Sequence, residues 1–396
     1  MKKILITAAV IVGSTVVFAQ KNQVQTAYSF SKAFDRNGKC SELQNGLEAI
    51  NIAIQDETTK TWVKTWMYRG NLYYSVLLPT TDQNCKDLYK EALDEATDSY
   101  LKALVLNFED PELKKLDLNK EDGSDMIKFI TALNSNSKVE YQEFMMTIIG
   151  GRMPGLAGEY ANKGIENFQA KDYKKAQENF GKSMMLNQLA GKMDTVMMFN
   201  TALASEYAED YEAAKQLYNA LIQLKYNVDG NGPSLYQSLS RIHKKEGDNE
   251  KSLAVLQAGR KAYPNNQALI FEEIDYFLQA DKAQEALTSL NTAIELDATN
   301  AFLYYVRGTV QEKLENKDAA ILDYKKSLEL DPKQHDAKKF EAMKAEAKKD
   351  FESAIPYVEM ANKAKPEDGD TATMLIKLYT QVGEYEKAKE LKAKYQ

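Results

Sequence analysis

Residues Tyr304 to Pro332 read YYVRGTVQEKLENKDAAILDYKKSLELDP. This stretch holds one glycine, Gly308, in its first half and a small residue, Ala320, in its second half. Two helices that cross closely need small residues at the crossing, with large side chains such as Tyr324 around it. Proline stops the second helix because it cannot continue the hydrogen-bond ladder. The stretch therefore predicts a pair of helices joined by a turn.

The same pattern recurs along the chain at a nearly constant spacing. An acidic residue, an aromatic, two further residues and an alanine occur at Asp172–Ala176, Asp210–Ala214, Asp350–Ala354 and Glu384–Ala388. Counting weaker copies, the small residues that close the pattern lie at positions 176, 214, 252, 286, 320, 354 and 388. Their spacings are 38, 38, 34, 34, 34 and 34 residues. Four equal steps in succession indicate an array of repeats.

This period and these residues resemble the tetratricopeptide repeat (TPR) family. The repeat of that family is a 34-residue helix–turn–helix with W-x2-L-G-x2-Y on the first helix and A-x3-F on the second, ending in proline. The resemblance covers residues 157–396 strongly and 27–110 weakly. It implies an all-α fold, a right-handed superhelical solenoid of about eight TPR-like hairpins whose stacking supplies the core.

The part of the chain before residue 157 departs from the regular period. Residues 20–110 read as degenerate TPR-like repeats, in which Trp66–Tyr73 matches the first-helix pattern and an insertion near 79–86 delays the second helix. Residues 111–156 form an interruption with loop signals and short helices, closed by two glycines and a proline. This interruption is either an embellishment of the solenoid or a hinge before the regular array at 157–396.

The first nineteen residues have the order of a secretory signal peptide. Lys2 and Lys3 precede an uncharged, mostly apolar run over Ile4–Phe18, and Ala19 ends the run with a small residue. A membrane-spanning helix needs about 20 apolar residues, which is longer than this run. We therefore expect cleavage after Ala19 and a mature chain that is periplasmic or secreted, without a transmembrane anchor.

Composition excludes several classes of protein. Only two cysteines in 396 residues exclude a disulfide-dense scaffold, and a net charge of −7 argues against a nucleic-acid binder, which needs a cationic surface. The two cysteines, Cys40 and Cys85, follow the cleavage site and lie near the turns of neighbouring predicted hairpins. Because an exported chain meets an oxidising compartment, we predict a disulfide between them.

Residues suited to catalysis are few. His243 takes a first-helix position that aromatic residues fill in other copies, and His335 lies in a turn between repeats. The best metal candidate is an acidic loop with the residues Asp117, Asn119, Glu121 and Asp122. The loop lacks the glycine and glutamate that an EF-hand carries at its sixth and twelfth positions. We expect no catalytic site, no metal and no cofactor, and hence a chain that is not an enzyme.

The TPR resemblance implies a binding surface on the inward-facing positions of the first helices. One level of these positions comprises Phe199, Gln237, Phe271 and Tyr305. The next level comprises Leu203, Arg241, Asp275 and Thr309. The Lys and Asn clamp with which some family members bind a C-terminal carboxylate is absent from these levels, so an apolar or mixed peptide is the expected ligand. Alternatively, the aromatic residues pack against neighbouring helices and bind nothing.

Three functions remain open on the sequence. The first is a non-enzymatic exported scaffold that binds a protein or peptide partner, and not nucleic acid. The second is a structural subunit of a cell-envelope or secretion assembly. The third is an accessory to cell-wall or polysaccharide processing. The sequence assigns neither the partner nor the oligomeric state.

Overall fold

A computed structural model describes residues 22–331, apart from residues 119, 121, 122 and 136, and residues 351–395. These residues form an all-α fold of packed helical hairpins, as the TPR resemblance implies. The chain divides into two compact units, Met1–Leu217 and Tyr218–Gln396. Within the described ranges, every helix is too short or too polar to cross a bilayer. The predicted signal peptide lies outside the described residues.

The helices of the N-terminal part pack in chain order. A helix over residues 22–37 (α1) comes first. It is followed by α2 (Cys40–Ala53), α3 (Val63–Leu77), α4 (Gln83–Leu88), α5 (Ala92–Leu106), α6 (Ser124–Asn134), α7 (Gln142–Met146), α8 (Met153–Gln169), α9 (Tyr173–Leu189), α10 (Thr195–Tyr207) and α11 (Tyr211–Gln223). α3 packs on α5, and α8 packs on α9. The short α4 lies in the insertion that the sequence predicts near residues 79–86.

The second unit repeats the same arrangement. Its helices are α12 (Gly232–Lys245), α13 (Asn249–Ala262), α14 (Gln267–Gln279), α15 (Ala283–Leu296), α16 (Ala301–Lys313), α17 (Lys317–Leu330), α18 (Phe351–Ala364), α19 (Gly369–Gln381) and α20 (Tyr385–Tyr395). α12 packs on α13, α14 on α15, and α16 on α17. These are the hairpins that the period predicts.

Small residues lie at the crossings, as the repeat pattern requires. A Cβ atom added at Gly308 would lie 2.7 Å from the ring of Tyr324, and one at Gly164 would lie 2.5 Å from the ring of Phe180. Real Cβ atoms do not approach other heavy atoms this closely, so a larger residue would push the helices apart. Ala320 is fully buried at the facing position on α17.

The interruption at residues 111–156 joins the core of the first unit. The rings of Phe108 and Phe129 pack edge-on at 5.8 Å, and both side chains are fully buried. The sequence predicts that Gly150 and Gly151 end the helical segment, but the helical backbone continues through both residues. A π-helical turn over Thr147–Arg152 connects α7 to α8 without a break. Local propensity did not show this turn because buried neighbours hold it.

Trp62 and Trp66 are the only tryptophans of the chain, and both pack against the core of the first unit. Trp66 begins the first-helix pattern in α3, and its Nε1 donates a hydrogen bond to the main-chain oxygen of Lys60 at 2.8 Å. This bond satisfies the polar atom of a partly buried ring.

Cys40 and Cys85 form a disulfide in this structure, with their Cα atoms 5.6 Å apart. Cys40 begins α2, and the buried Cys85 lies in α4 of the inserted segment. We expect thiol labelling of the purified mature protein, denatured without reductant, to modify no cysteine, and labelling after reduction to modify both. Two reactive thiols before reduction would contradict the pairing.

The turns between the helices of a hairpin contain a recurring left-handed residue. The described turns place Lys171, Glu209, Gly247, Asp281, Glu315 or Gly383 there, all with positive φ. A non-glycine residue costs about 1–2 kcal/mol in this conformation, offset in part by the greater unfolded-state entropy of glycine. We expect Glu315→Gly to raise the free energy of unfolding by roughly 0.5–1 kcal/mol in urea unfolding. Gly247→Ala is the opposite change at an equivalent turn and should lower the free energy of unfolding. The expectation is contradicted if both variants shift the free energy of unfolding in the same direction.

Candidate functional site

The residues predicted at the first inward level of the second unit lie on neighbouring first helices. Gln237 of α12 donates a hydrogen bond from Nε2 to Oε1 of Glu272 on α14, at 2.7 Å. The ring of Phe271 meets that of Phe302 edge-on at 6.2 Å, and Phe302 lies 6.5 Å from the ring of Tyr305 on α16. A wall of first helices therefore carries these residues, as the repeat register implies.

The second level of the same wall is polar. Arg241 and Asp275 are exposed, and Arg241 Nη2 donates to Ser238 Oγ at 2.9 Å. Lys244 Nζ lies 2.8 Å from Gln279 Oε1 and 3.8 Å from Asp275 Oδ2. The wall of the second unit thus combines an aromatic strip with charged groups of both signs.

Glu272 is a partly buried acid of this wall. Burial raises the pKa of Glu272 above its usual range, against the lowering by the Gln237 hydrogen bond and by the nearby Arg241. A carboxylate that is partly removed from water binds a hydrogen-bond donor more strongly than an exposed one does. Glu272 and Phe302 were not among the predicted residues. Glu272 directly follows Phe271, and Phe302 lies three residues before Tyr305. The same repeat spacing could therefore have identified both residues.

In the first unit, Leu203 lines a cavity formed by α8, α9 and α10. The cavity measures about 200 Å³ and is lined by Ile165, Phe168, Gln169, Phe180, Asn200 and Leu203. Ile165 follows Gly164 in α8 as Leu203 follows Ala202 in α10, so the two are equivalent positions of successive repeats. Phe199 is half-buried on α10 and is not among the lining residues.

Three aromatic rings continue this cavity. The ring of Phe168 lies 5.2 Å from that of Tyr173 and 5.6 Å from that of Tyr207, and Tyr173 and Tyr207 stack at 5.0 Å. Tyr207 is 54% exposed. An apolar cavity, an exposed ring and the amides of Gln169 and Asn200 are the parts needed to hold one apolar side chain and its adjoining peptide groups.

The residues weighed for catalysis and metal binding are placed as follows. His243 Nδ1 is buried within the second unit, 3.6 Å from Glu246 Oε2. His335 and three residues of the acidic loop lie outside the described residues. Asp125 Oδ2 accepts a hydrogen bond from the main-chain nitrogen of Asp117 at 3.1 Å. In the described part of the chain, no group of three or more His, Cys, Asp or Glu residues is placed to hold a metal ion.

The described helices form a helical-repeat fold, in which consecutive helices pack as hairpins. A family model described as tetratricopeptide repeat matches residues 303–334. Residues 303–334 are therefore similar to one TPR repeat, and the other described hairpins share the all-α architecture of a helical repeat. No curated protein matches the chain.

Several solved structures are similar to parts of the chain. MamA is 20% identical over 42% of this chain and 90% of its own, with a TM-score of 0.34. YrrB, described as a TPR protein with an unusual peptide-binding site, is 18% identical over 49% of this chain and 94% of its own, with a TM-score of 0.35. A TPR protein from Bacteroides fragilis NCTC 9343 is 20% identical over 57% of this chain and 98% of its own, with a TM-score of 0.30.

Proposed function

We propose that this protein is a non-enzymatic, exported scaffold that binds a peptide segment of a partner protein along the first-helix walls of its repeats. The observation that carries the proposal is the cavity of about 200 Å³ at Leu203, next to the exposed ring of Tyr207. Exposed aromatic residues beside a pocket are the usual anchors of binding energy at protein interfaces.

The chemistry of the cavity favours one apolar side chain of an extended peptide. Burying a leucine or phenylalanine side chain contributes about 1.5–3 kcal/mol, and the stacked rings of Tyr173 and Tyr207 offer an apolar surface beside it. The amides of Gln169 and Asn200 line the same cavity and can donate to or accept from peptide groups. These amides would fix the direction of the peptide.

The wall of the second unit is suited to selecting a sequence rather than to supplying most of the affinity. It presents Glu272 next to Arg241 and Lys244 next to Asp275, so both signs of charge lie side by side. Charges at the edge of an interface favour complementary partners and repel others. Export of the scaffold rests on the predicted signal peptide at residues 1–19.

The proposal is tested with peptides selected from a random displayed library on the purified mature protein. We expect Leu203→Asp and Tyr207→Ala each to weaken the selected peptides at least tenfold in fluorescence polarisation, about 1.4 kcal/mol. The control is Leu322→Asp, an apolar residue of α17 that is 66% exposed and away from the first-helix wall. Unchanged affinity in both groove variants, with an unchanged helical signal, would overturn the proposal.

The wall of the second unit has its own variant. We expect Arg241→Glu combined with Phe271→Ala to change which peptides are selected, because the double variant reverses one charge and removes one ring of the wall. The same selected set from wild type and variant would assign recognition to the first unit alone.

A further inference from the structure

The segment before α8 has one apolar face. Tyr141 has an extended backbone and precedes α7, and Phe144, Met145 and Ile148 follow it in the helical run. Ile148 is fully buried, and the other three are partly buried against the core of the first unit. Tyr141 and Phe144 stack with ring centroids 4.9 Å apart. An amphipathic helical segment therefore lies with its apolar side on the unit.

This segment packs on the first-helix wall of an N-terminal repeat. Lys64 Nζ of α3 lies 5.2 Å from the ring centroid of Tyr141, and Arg152 Cζ lies 4.5 Å from that of Tyr74. Tyr68 of α3 lies between Lys64 and Tyr74 in the sequence, and its ring lies 4.9 Å from the ring of Tyr28. Burial raises the pKa of Tyr68, and the nearby hydroxyls of Tyr28 and Tyr141 raise it further.

The contacted residues hold positions that form the binding wall elsewhere in the chain. Tyr74 follows Gly70 by four residues, as Phe168 of the Leu203 cavity follows Gly164. In the same way, Lys64 precedes Gly70 by six residues, as the wall residue Phe302 precedes Gly308. The segment thus occupies on α3 the face that a partner would use on α8 or α16.

The segment is held by hydrogen bonds at Tyr141, whereas a buried nitrogen of Arg152 at its other end lacks a hydrogen bond. The side chain of Asn107 exchanges two hydrogen bonds with the main chain of Tyr141, at 2.9 and 3.0 Å. At the other end, Arg152 Nε is buried without a hydrogen-bond partner, and the Cβ positions of Gly150 and Gly151 face open space. The connection to α8 is a π-helical turn, a rare geometry that often marks functional sites.

We propose that residues 141–152 occupy a second binding groove of the same chain, formed by Lys64, Tyr68 and Tyr74. The partner that would replace this segment in the groove is an amphipathic helix with two aromatic side chains three residues apart. Such a helix-in-groove mode reads the i, i+3, i+4 and i+7 positions of its ligand. The inference rests on the proposed function only in that first-helix walls of this chain bind partners. A tethered occupant has an effective concentration of about 1 mM, so a free helix must compete with it.

The probe is a fluorescent peptide of residues 138–155, and the protein is the full mature chain. We expect Tyr141→Ala with Phe144→Ala, which weakens the tethered occupant, to bind the peptide at least tenfold more tightly than wild type. Adding Lys64→Glu and Tyr74→Ala to this variant should abolish the gain, and a peptide that carries alanine at both aromatic positions should not bind. Equal affinity for wild type and variant, or no binding by a folded variant, would overturn the proposal.

Hydrogen exchange on the unaltered protein gives an answer even if the variant fails to fold. We expect excess peptide to accelerate exchange of the hydrogen-bonded amides of Met145 and Thr147 at least tenfold, and to leave the last turn of α8 unchanged. Unchanged exchange at Met145 and Thr147 would reject the inference. Leu203→Asp should not alter binding of this peptide, so the failure of this groove and the failure of the Leu203 cavity are told apart.

Discussion

Replacing Glu273 by alanine is expected to lower the free energy of unfolding by about 3 kcal/mol. Glu273 lies on α14 and is 8% exposed. Its Oε2 lies 2.6 Å from Arg260 Nη1 on α13 and accepts a hydrogen bond from Ser289 Oγ on α15 at 2.9 Å. One carboxylate therefore joins three successive helices, and its loss leaves the charge of Arg260 buried without compensation.

The measurement is urea unfolding of the mature chain, followed by far-ultraviolet circular dichroism. The control is Arg260→Met with Glu273→Leu, because replacing both members of a buried ion pair by apolar residues is often close to neutral. We expect this double variant to stay within about 1 kcal/mol of wild type. A single variant that loses less than about 1 kcal/mol would show that solvent screens the pair as it screens surface pairs.

Ala320→Leu is expected to destabilise the second unit by roughly 1–3 kcal/mol. Ala320 has no exposed surface, and it faces the α16 helix where Gly308 meets the ring of Tyr324. A leucine there has no space, so the helices must separate or adopt strained rotamers. Because stability in a repeat array is shared through neighbouring interfaces, the loss should reach adjacent hairpins.

Thermal and urea unfolding of this variant are compared with those of Leu322→Ala. Leu322 lies on the same helix but is 66% exposed, so its truncation should cost less than about 0.5 kcal/mol. A melting curve for Ala320→Leu that matches wild type would mean that the crossing lies elsewhere in the repeat.

Sequence predicted the hairpins because each depends on a local feature, a small residue at a crossing. Gly164 and Gly308 both meet aromatic rings at distances that exclude a side chain, so their spacing alone locates the helices. Gln237, Phe271 and Tyr305 hold equivalent positions of successive repeats, and their role in binding stays a prediction.

Side-chain neighbours that belong to different repeats could not be predicted in this way. The rings of Phe168 and Tyr207 are 39 residues apart in sequence, and only the packing of α8 near α10 brings them together. The position of Phe168 was predictable from its spacing to Gly164, but its exposure to a cavity depends on the side chains that surround it.

The helical run across Gly150 and Gly151 escaped prediction for a further physical reason. Two adjacent glycines disfavour a helix locally, and here the tertiary contacts of Ile148 and Met153, both buried, override that preference. The packing of Arg152 on Tyr74 is also long-range. The segment was therefore recognised as a departure from the period but not as an occupant of α3.

The position of the two tryptophans gives the protein a built-in optical probe. Trp62 directly precedes α3 and Trp66 lies within it, and the second unit contains no tryptophan in its sequence. Emission on excitation at the red edge of the indole band therefore reports the first unit alone, whereas circular dichroism reports both units. Comparing the two signals during unfolding shows whether the units melt together, without any label.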